Sequence, residues 1–478
     1  MQFTFSPQIA DIVAKIKEAA GLLEYPVYLV GGYVRDAIMQ RENHAKDIDV
    51  VCVGDGIRLA EQVAALLTPV PQVIVFRRFG TAMVKYTDIE IEFVGARKES
   101  YSPDSRKPAV ENGSLTDDQN RRDFTINALA VSLNEADYGL IIDPFNGLQH
   151  ITEKIIKTPL NPDSTFSDDP LRMMRAVRFS AQLGFDIDAA TFEAIKRNQG
   201  RMQIISRERI SAELKKIILS DTPSRGFIQL FECGLLSQFL PEMVALHGVE
   251  YRNNIGHKDN FYHTLEVLDN LSRESNNLWL RWAALLHDIA KPPTKKFDAQ
   301  NGWTFHGHET LGAIMTSKIF NRLKLPLDHK LKYVQKLVAL HLRPIALTNE
   351  KVTDSAVRRL LFDAGEDIED LMILCKADIT SKNEGKVQRY RDNYAVLMQK
   401  IIDVEAKDKL RNWQPPVSGE DIMERFGLPP GREIGIIKNA IREAILDGII
   451  PNEKAAADQF MLAKASEMGI YPKDSAQS

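Results

Sequence analysis

The chain has 478 residues, 44% hydrophobic and 26% charged, which is an ordinary globular composition but too long for one core, so roughly two to four domains are expected. The formal net charge of −4 argues against a uniformly basic nucleic-acid wrapper, although 61 lysines and arginines leave room for local basic surfaces. The sequence predicts a cytoplasmic protein without a membrane partner, because the N-terminus does not resemble a signal peptide and no apolar run is long enough to cross a membrane. The three cysteines, Cys52, Cys233 and Cys375, lack metal-site spacing and fit a reducing compartment.

The first pattern along the chain, residues 27–53, predicts a strand, a glycine turn, a helix and a second strand. Gly31 and Gly32 allow close backbone approach, and the helix N-terminus behind them presents unpaired N–H groups to an anion. Arg35 lies one turn into the helix, where its guanidinium can grip a phosphate with two hydrogen bonds. The turn is therefore a candidate phosphate site.

Two carboxylates follow on the second predicted strand. Asp47 and Asp49 are two residues apart and therefore point to the same face. Such a pair is commonly a solvated strand end, but carboxylates held side by side repel each other unless a cation lies between them. A phosphate site beside a divalent-metal site is what nucleotidyl transfer requires.

The motif GGYVRD followed by KDID resembles the signature of the class II tRNA nucleotidyltransferase and poly(A) polymerase family. The resemblance implies that Asp47 and Asp49 hold two Mg²⁺ ions and that a later strand supplies a third carboxylate. After a predicted helix at 58–67 and strands near 72–76 and 81–86, a strand near 89–94 carries Glu90 and Glu92 on one face. The alternation of apolar and acidic residues alone is also typical of a half-exposed strand without a catalytic role. Aligned on Arg97, Glu92 is the better match to the family's third carboxylate, and Glu90 remains an alternative.

Residues 98–120 are polar and turn-rich, and we predict a long loop there. Tyr101, Asp104, Arg106 and Pro108 resemble the flexible loop that follows the catalytic strands in the family. Enzymes that add only the cytidines typically lack part of that loop, so the resemblance favours addition of CCA or of its terminal A.

The next segment, RRDFTINA at 121–128, matches a family motif almost letter for letter. Two adjacent arginines are usually a solvated pair, but here they precede an aspartate and an asparagine in the family's order. The resemblance implies that Arg122 and Asp123 contact the phosphate and ribose of the incoming nucleotide, while Asn127 supports the site. DPFNGLQHI then resembles the turn that closes the head domain near residue 150.

From residue 151 the periodicity is helical, and a helix with Ser167 as its N-cap and Pro170 early is predicted. Asp169 and Arg172 lie three residues apart and are therefore neighbours on one helix face. The pair is either an exposed ion pair or a protein template for base choice. In the second case Arg172 donates to ring acceptors and Asp169 accepts from the exocyclic amine that cytosine and adenine share.

The family's E-D-x-x-R motif resembles this stretch, with Asp168 in place of the glutamate. The shorter side chain leaves open how Arg172 is held. The following SRERISAEL resembles another family element, which implies that Arg209 and Glu213 act as structural braces.

A second group of candidate metal ligands lies between residues 257 and 385. A lone histidine on an amphipathic helix is usually only packed or exposed, but these histidines and aspartates occur at the landmarks of the HD phosphohydrolase superfamily, which they resemble. They are His263, His287, Asp288, His308, His341 and Asp378. Imidazoles with carboxylates suit a divalent transition metal that activates water.

The tail contains a predicted helix, a PPG turn and a second helix that begins at Glu433 or Ile434. Its PG-x-x-IG turn either sets backbone N–H groups against an RNA phosphate or belongs to an ordinary helical hairpin. Overall an α+β fold is predicted, with a nucleotidyltransferase head (1–150), an all-α neck (151–245), an HD body (246–400) and a helical tail (401–478).

The function implied by the resemblance is addition of CCA, or its terminal nucleotides, to the 3′ end of tRNA from CTP and ATP. A metal-dependent phosphohydrolase, a poly(A) polymerase and a non-catalytic RNA-binding protein are the alternatives. The sequence leaves the oligomeric state open.

Overall fold

The computed structural model describes residues 2–41, 47–77, 80–102, 105–253, 255–349, 352–380, 384–408 and 413–473. The chain divides into two compact units, Met1–Pro241 and Glu242–Ser478. The first unit contains a mixed sheet with helices and the second is mainly helical, which confirms the predicted α+β class. The finer division of each unit into head, neck, body and tail remains a prediction. None of the described helices combines the length and the apolar character needed to cross a membrane.

The helices and strands of the first unit are, in chain order, α1 (Pro7–Leu23), β1 (Val27–Val30), α2 (Gly32–Ile38), β2 (Asp47–Cys52), α3 (Gly56–Leu66), β3 (Val73–Phe76), β4 (Thr81–Tyr86), β5 (Ile89–Gly95), β6 (Arg97–Ser102), β7 (Ser105–Asn112), α4 (Leu115–Asn120), β8 (Ala130–Ser132), β9 (Ile141–Ile142), α5 (Gly147–Glu153), β10 (Ile155–Ile156), α6 (Pro162–Asp168), α7 (Leu171–Leu183), β11 (Asp186–Ile187), α8 (Ala189–Asn198), α9 (Arg207–Ile218) and α10 (Pro223–Glu232).

Seven strands of the first unit form one sheet in the order β3-β4-β5-β2-β1-β8-β9. Strand β1 pairs antiparallel with β2 and β8, whereas β2 pairs parallel with β5. Side chains alternate along each strand, so one face of β2 and β5 presents residues such as Val50 and Ile91 to a core shared with α1 and α3. The alternate residues, which include the predicted catalytic carboxylates, lie on the opposite face.

Three predictions about this unit need correction. The stretch 98–120 is not a long loop: β6 and β7 pair as an antiparallel hairpin, and α4 follows with Ser114 and Asp117 forming a reciprocal N-cap. Asp104 lies outside the described residues, as do the side chains of residues 99–110. Ser167 is not an N-cap, because it lies inside α6. The helix that carries Arg172 begins at Leu171, and Asp169 accepts a hydrogen bond from the Leu171 backbone N–H at 3.1 Å.

The third correction concerns the region after residue 151, which is not purely helical. A short parallel pair joins β10 and β11 in the first unit, and two short hairpins occur in the second. The elements of the second unit, in chain order, are α11 (Pro241–Val244), β12 (Tyr251–Arg252), β13 (Ile255–Gly256), α12 (Asn260–Ser272), α13 (Leu278–Leu286), α14 (Lys291–Thr294), β14 (Lys296–Asp298), β15 (Gly302–Thr304), α15 (His308–Arg322), α16 (His329–Leu340), α17 (Leu342–Asn349), α18 (Asp354–Ala364), α19 (Ile368–Asp378), α20 (Glu384–Asp408), α21 (Gly419–Phe426), α22 (Arg432–Leu446) and α23 (Lys454–Glu467).

The helices of the second unit follow local signals in the sequence. The side chain of Asn277 caps the apolar helix α13, and His287 ends it, so the His287-Asp288 pair lies at its C-terminus. In the tail, α21 and α22 form the predicted helical hairpin, with α22 beginning at Arg432, slightly before the expected residue. An RNA contact at its turn remains a prediction.

Candidate functional site

The carboxylates predicted for the head lie on adjacent strands of the sheet. The parallel register of β2 and β5 places Asp49 opposite Glu92 and Asp47 opposite Glu90. Partners in register point to the same face of a sheet, so all four carboxylates share the face opposite the core. Glu90 is paired across β4 and β5 with Lys85 at 3.2 Å, whereas Glu92 is the neighbour of Asp49. This arrangement favours Glu92 over Glu90 as the third carboxylate.

Gly31 brings the glycine turn into contact with these carboxylates. It connects β1 to α2 with φ 76° and ψ −141°, a conformation that side-chain-bearing residues rarely adopt. A Cβ atom at Gly31 would lie 2.8 Å from Asp49 Oδ2 and 3.3 Å from Arg122 Nη1. The turn therefore needs glycine here so that the backbone, the Asp49 carboxylate and the Arg122 guanidinium can lie together. Gly32 is the first residue of α2 and has no such conflict.

Burial and the neighbouring charges perturb the Asp49 carboxylate. Burial raises the pKa of Asp49, Arg122 lowers it, and Glu92 and Asp47 raise it again, which gives a pKa of about 6. A divalent cation relieves the repulsion among the three carboxylates, and their oxygens are the ligands that Mg²⁺ prefers. Among the described residues, however, the oxygens of these three side chains are not all within 4.8 Å of one another, unlike the ligand groups of the second unit.

Arg122 is held by a residue that the sequence analysis missed. The Asp118 carboxylate is fully buried and accepts hydrogen bonds from Nε and Nη2 of Arg122, at 3.0 and 2.8 Å, on one oxygen and from Arg121 on the other. Burial would raise the pKa of Asp118, but Arg122 and Arg121 outweigh it and hold that pKa below its usual value. The remaining guanidinium nitrogen, Nη1 of Arg122, faces Asp49 and the Asn127 carbonyl.

Asp123, Asn127 and Arg35 form one buried network rather than an open binding face. Nδ2 of Asn127 donates to Asp123 Oδ1 at 3.0 Å, and Nη1 of Arg35 donates to Asn127 Oδ1 at 2.6 Å. Asp123 also accepts from Arg175 at 2.6 Å. Burial opposes ionisation of Asp123, but Arg175 and Asn127 lower its pKa to about 2. The network therefore holds a permanent negative charge within it.

The position of Arg35 differs from the predicted phosphate grip. Its side chain is 8% exposed, and two of its nitrogens donate to Asp36 while the third donates to Asn127. A phosphate could reach this guanidinium only by displacing those bonds. In this structure Arg35 positions Asn127.

The side chains of Asp169 and Arg172 do not pair with each other in the described structure, although the Arg172 backbone N–H donates to the Asp169 carbonyl at 3.0 Å. Asp169 Oδ2 pairs with Arg209 at 3.3 Å, while Arg172 donates to the backbone carbonyls of Arg121 at 2.5 Å and Thr165 at 3.3 Å. The surface ion-pair interpretation is therefore wrong. The carbonyl contact places Arg172 directly beside the RRDFTINA segment.

The two residues predicted as braces have partners of that kind. Arg209 holds Asp169, and Glu213 pairs with Arg178 of α7 at 3.1 Å, both groups being buried.

The histidines and aspartates of the second unit converge on one buried point. The Asp288 carboxylate lies at its centre: Oδ2 is 3.2 Å from His287 Nε2 and 3.5 Å from His263 Nε2, and Oδ1 is 3.3 Å from His308 Nε2 and 3.8 Å from His341 Nε2. Asp378 Oδ1 lies 2.9 Å from His263 Nε2 and 3.7 Å from His287 Nε2. The ligand atoms form two groups of three, His263 with His287 and Asp378, and Asp288 with His308 and His341.

Hydrogen bonds set the orientation of three of these imidazoles. Nδ1 of His287, His308 and His341 lies 2.7 Å from the carbonyl oxygen of Ala284, Phe305 and Val338 respectively. With Nδ1 engaged by a carbonyl, Nε2 is the ring nitrogen that faces the centre in each case. These three Nε2 atoms are buried, and within the described part of the chain they make no hydrogen bond of acceptable geometry, although the Asp288 oxygens lie 3.2, 3.3 and 3.8 Å away. A buried polar atom without a partner costs folding free energy unless an ion binds to it, so these residues fit a divalent metal.

His263 has different neighbours behind its ring. Lys258 Nζ lies 2.8 Å from its Nδ1, and Thr380 Oγ1 lies 3.0 Å from the same atom. A second lysine, Lys291, pairs with Asp288 Oδ2 at 2.6 Å. Burial lowers the pKa of His341 to about 4, whereas Asp288 and Asp378 overcome burial and raise that of His287 to about 10. Cationic groups thus balance the two carboxylates, and a dication would take over that role.

Comparison with known proteins agrees with this organisation. Residues 27–157 match the family model of the poly(A) polymerase head domain, residues 184–246 that of the probable RNA- and SrmB-binding site of polymerase A, and residues 260–383 that of the HD domain. An A-adding tRNA nucleotidyltransferase of Deinococcus radiodurans is 32% identical over 341 residues, or 69% of this chain and 75% of that protein. A CCA-adding enzyme of Streptococcus pyogenes is 27% identical over 94% of this chain and 95% of its own length.

A solved structure shows the same fold. The CCA-adding enzyme of Bacillus stearothermophilus in complex with CTP gives a TM-score of 0.61 at 24% identity and covers 97% of this chain and 100% of its own.

Proposed function

Because the chain belongs to the family of tRNA nucleotidyltransferases and poly(A) polymerases, we propose that it adds CCA, or the terminal part of CCA, to the 3′ end of tRNA with CTP and ATP as donors. The family implies dependence on a divalent metal. The observation that carries the proposal is the register of β2 and β5, which puts Asp47, Asp49 and Glu92 on one face beside Gly31 and Arg122.

Asp47 and Asp49 would hold Mg²⁺, with Glu92 as the third carboxylate. When bound, two such ions activate the attacking 3′-hydroxyl and stabilise the charge on the departing pyrophosphate. The Asp49 carboxylate lies so close to Gly31 that a Cβ there would clash with it, which places the carboxylate beside the turn at which the triphosphate would bind. Nη1 of Arg122, the nitrogen not engaged by Asp118, is the donor available to a phosphate oxygen.

Base choice would rest on Asp169 and Arg172. Arg209 restrains the Asp169 carboxylate, and the carbonyl of Arg121 restrains the Arg172 guanidinium, so both groups are held before a nucleotide arrives. Asp123, Asn127 and Arg35 contribute by fixing the segment that carries Arg122. The resemblance implied a nucleotide contact for Asp123 and a supporting role for Asn127, while the helix position of Arg35 predicted a phosphate grip. A positioning role is the better account of the buried bonds that all three make.

The test uses tRNA lacking its 3′ end, CTP and ATP supplied separately and together, and sequencing of the products. Addition that ends at CCA supports the proposal, addition of A only to tRNA ending in CC identifies the narrower activity, and a long adenosine tail identifies a poly(A) polymerase. Asp49→Asn is expected to abolish addition while tRNA binding stays near normal, because tRNA affinity comes from dispersed phosphate contacts. Wild-type addition by this variant in Mg²⁺ would overturn the mechanism.

The second unit supports a second activity, metal-dependent phosphoester hydrolysis. The observation that supports it is that the buried Nε2 atoms of His287, His308 and His341 converge on the Asp288 carboxylate but make no hydrogen bond in the described part of the chain. When bound, a divalent transition metal such as Ni²⁺, Mn²⁺ or Co²⁺ supplies hydroxide at neutral pH.

A cavity of about 720 Å³ borders this centre at His308 and is a candidate substrate site. It is lined by the cations Lys291 and Arg343 and by the aromatic side chains of Trp303 and Phe305. That lining fits a phosphate ester carrying a base, such as a nucleotide 2′,3′-cyclic phosphate or 2′-phosphate.

The two activities can be separated by variants. Purified protein loaded with each metal is tested against those phosphoesters. Asp288→Asn is expected to remove hydrolysis and leave nucleotide addition unchanged, and Asp49→Asn is expected to do the reverse. No turnover with any of the metals would reduce the centre to a structural site.

A further inference from the structure

The ring of Phe179 on α7 is surrounded by three arginine side chains. The guanidinium carbons of Arg178, Arg35 and Arg175 lie 4.1, 5.0 and 5.5 Å from the ring centroid. Phe124 of the RRDFTINA segment packs edge-on against the same ring at 5.9 Å and 83°. Phe179 is only 7% exposed, so these contacts occur away from solvent, where cation–π attraction is strongest. We call Phe179 and its three arginines the Phe179 cluster.

Each arginine of the cluster continues into a different polar contact. Arg35 holds Asn127, Arg175 holds Asp123, and Arg178 pairs with Glu213 of α9. Two of these three contacts therefore end on residues of the RRDFTINA segment. Both guanidinium groups that end there pack against the same ring.

Three guanidinium groups around one ring repel one another, and the structure offsets this with buried acids. The pKa of Arg178 is lowered to about 10 as the net result of several effects: burial lowers it most, Glu213 raises it, and Arg175 and Arg35 lower it. The group therefore remains protonated at neutral pH. Asp36 and Asp123 provide negative charge for the other two guanidinium groups. The positions of the arginines are thus set by the ring on one side and by carboxylates on the other.

The same helix carries the base-selecting candidate. Arg172 lies seven residues before Phe179, which is about two helical turns, so the two side chains project from similar faces of α7. Arg172 contacts the Arg121 carbonyl, and Phe179 contacts Phe124. Together these contacts fix α7 against the segment that contains Arg122, Asp123 and Asn127.

We infer that Phe179 is a positioning residue for nucleotide binding: its ring sets Arg35 and Arg175, which in turn set Asn127 and Asp123. The inference rests on the proposed nucleotidyl transfer and adds a buried residue that acts through its neighbours. Leucine at this position keeps most of the apolar contact but removes the π face. The arginines then lose a shared attraction while their mutual repulsion remains.

The first test measures equilibrium binding of CTP and ATP to the full chain and the KM for each nucleotide. Phe179→Leu is expected to weaken binding and raise KM about tenfold, with little change in kcat or in tRNA affinity. Phe179→Tyr and Phe179→Trp keep a π face and are expected to restore most of the affinity. The matched control is Phe227→Leu, since Phe227 is fully buried on α10 and lies outside the cluster.

The outcomes separate this inference from the proposed function. Nucleotide affinities for Phe179→Leu equal to wild type, or an equal loss in Phe227→Leu, would overturn the positioning role even if the enzyme is fully active. A wild-type chain that binds CTP but adds nothing to tRNA contradicts the proposed function alone. A wild-type chain that does not bind CTP or ATP contradicts both. If Phe179→Leu does not fold, Phe179→Met, with its flexible apolar side chain, replaces it in the same comparison.

Discussion

Replacing Gly31 with alanine tests the contact between the glycine turn and the catalytic carboxylates. The new Cβ would lie 2.8 Å from Asp49 Oδ2, and an ordinary contact of 3.4 Å requires a shift of about 0.6 Å. Catalytic groups need to be held within about 0.5 Å, and a misplacement of about 1 Å costs about 100-fold in rate. We therefore expect Gly31→Ala to reduce the rate of nucleotide addition by roughly 10- to 100-fold.

The same substitution carries a conformational cost. Alanine would have to adopt φ 76° and ψ −141°, and residues in such sparsely populated regions cost about 1–3 kcal/mol each. The free energy of unfolding is expected to fall by that amount. Urea unfolding, followed by a probe in the first unit, measures this loss, while single-turnover addition to tRNA measures the rate.

Gly32→Ala is the matched control. Gly32 is the first residue of α2, and its nearest neighbour for a Cβ would be Arg35 Nη2 at 3.8 Å, an ordinary contact. Alanine in a compatible helical position usually stabilises by about 0.4–1 kcal/mol. We expect this variant to be at least as stable as wild type. Any activity that it loses would then show that the added methyl group hinders binding of the triphosphate at the turn. A Gly31→Ala enzyme with wild-type rate, stability and Mg²⁺ dependence would refute the role given to the turn.

Three further predictions address the carboxylates, the buried network and base choice. Glu92→Gln should lower the addition rate sharply and raise the Mg²⁺ requirement, whereas Glu90→Gln should do neither, because Glu90 pairs with Lys85; equal rates for the two variants contradict the assignment. Asp123→Asn should reduce the free energy of unfolding by about 2 kcal/mol at pH 7, since the pKa of Asp123 is about 2 in the folded protein and 3.8 for a free aspartate. This contribution is present above pH 3.8 and is lost as the pH falls toward 2. A difference in unfolding free energy between variant and wild type that stays constant down to pH 2 would therefore refute it. Arg172→Ala should weaken discrimination of CTP and ATP from UTP and GTP by roughly 5- to 150-fold, measured as ratios of kcat/KM; unchanged ratios would remove Arg172 from base selection.

The sequence predicted the head well where the pattern is local. An apolar run, a glycine pair and alternating carboxylates define β1, the turn and β2 without reference to the rest of the chain. The partnership of Asp49 with Glu92 rather than Glu90 depends on strand register and on Lys85 of β4, which only the folded sheet reveals. Periodicity places both glutamates on the correct face but cannot choose between them.

The errors about polar contacts have a common physical cause: a sequence pattern suggests partners only among residues that are close along the chain. Arg35 has the spacing of a phosphate ligand, yet Asn127, 92 residues away, accepts its hydrogen bond. Asp169 has the spacing of a partner for Arg172, yet Arg209 on a different helix binds it. Asp118 and Phe179 were missed because a buried acid and a buried aromatic carry no distinctive pattern. Their roles arise from arginines brought in by other elements.

The candidate metal ligands of the second unit could be predicted because the superfamily landmarks are spread along helices in a fixed order. Their mutual distances, and the carbonyls that orient three of the rings, could not be read from spacing.

The four imidazoles around Asp288 have a practical consequence for any depletion experiment on this enzyme. A chelator added to strip the head of its proposed cation would also compete for the metal proposed in the second unit, whose buried Nε2 atoms would then lack a partner. Lost activity after chelation would therefore combine arrested chemistry with a less stable fold. Readdition separates the two, because magnesium favours the oxygen-rich face of the sheet, whereas nickel or cobalt favours the nitrogen-rich centre. Recovery of addition with magnesium, followed by recovery of thermal stability only with nickel or cobalt, would show that the two centres take different ions.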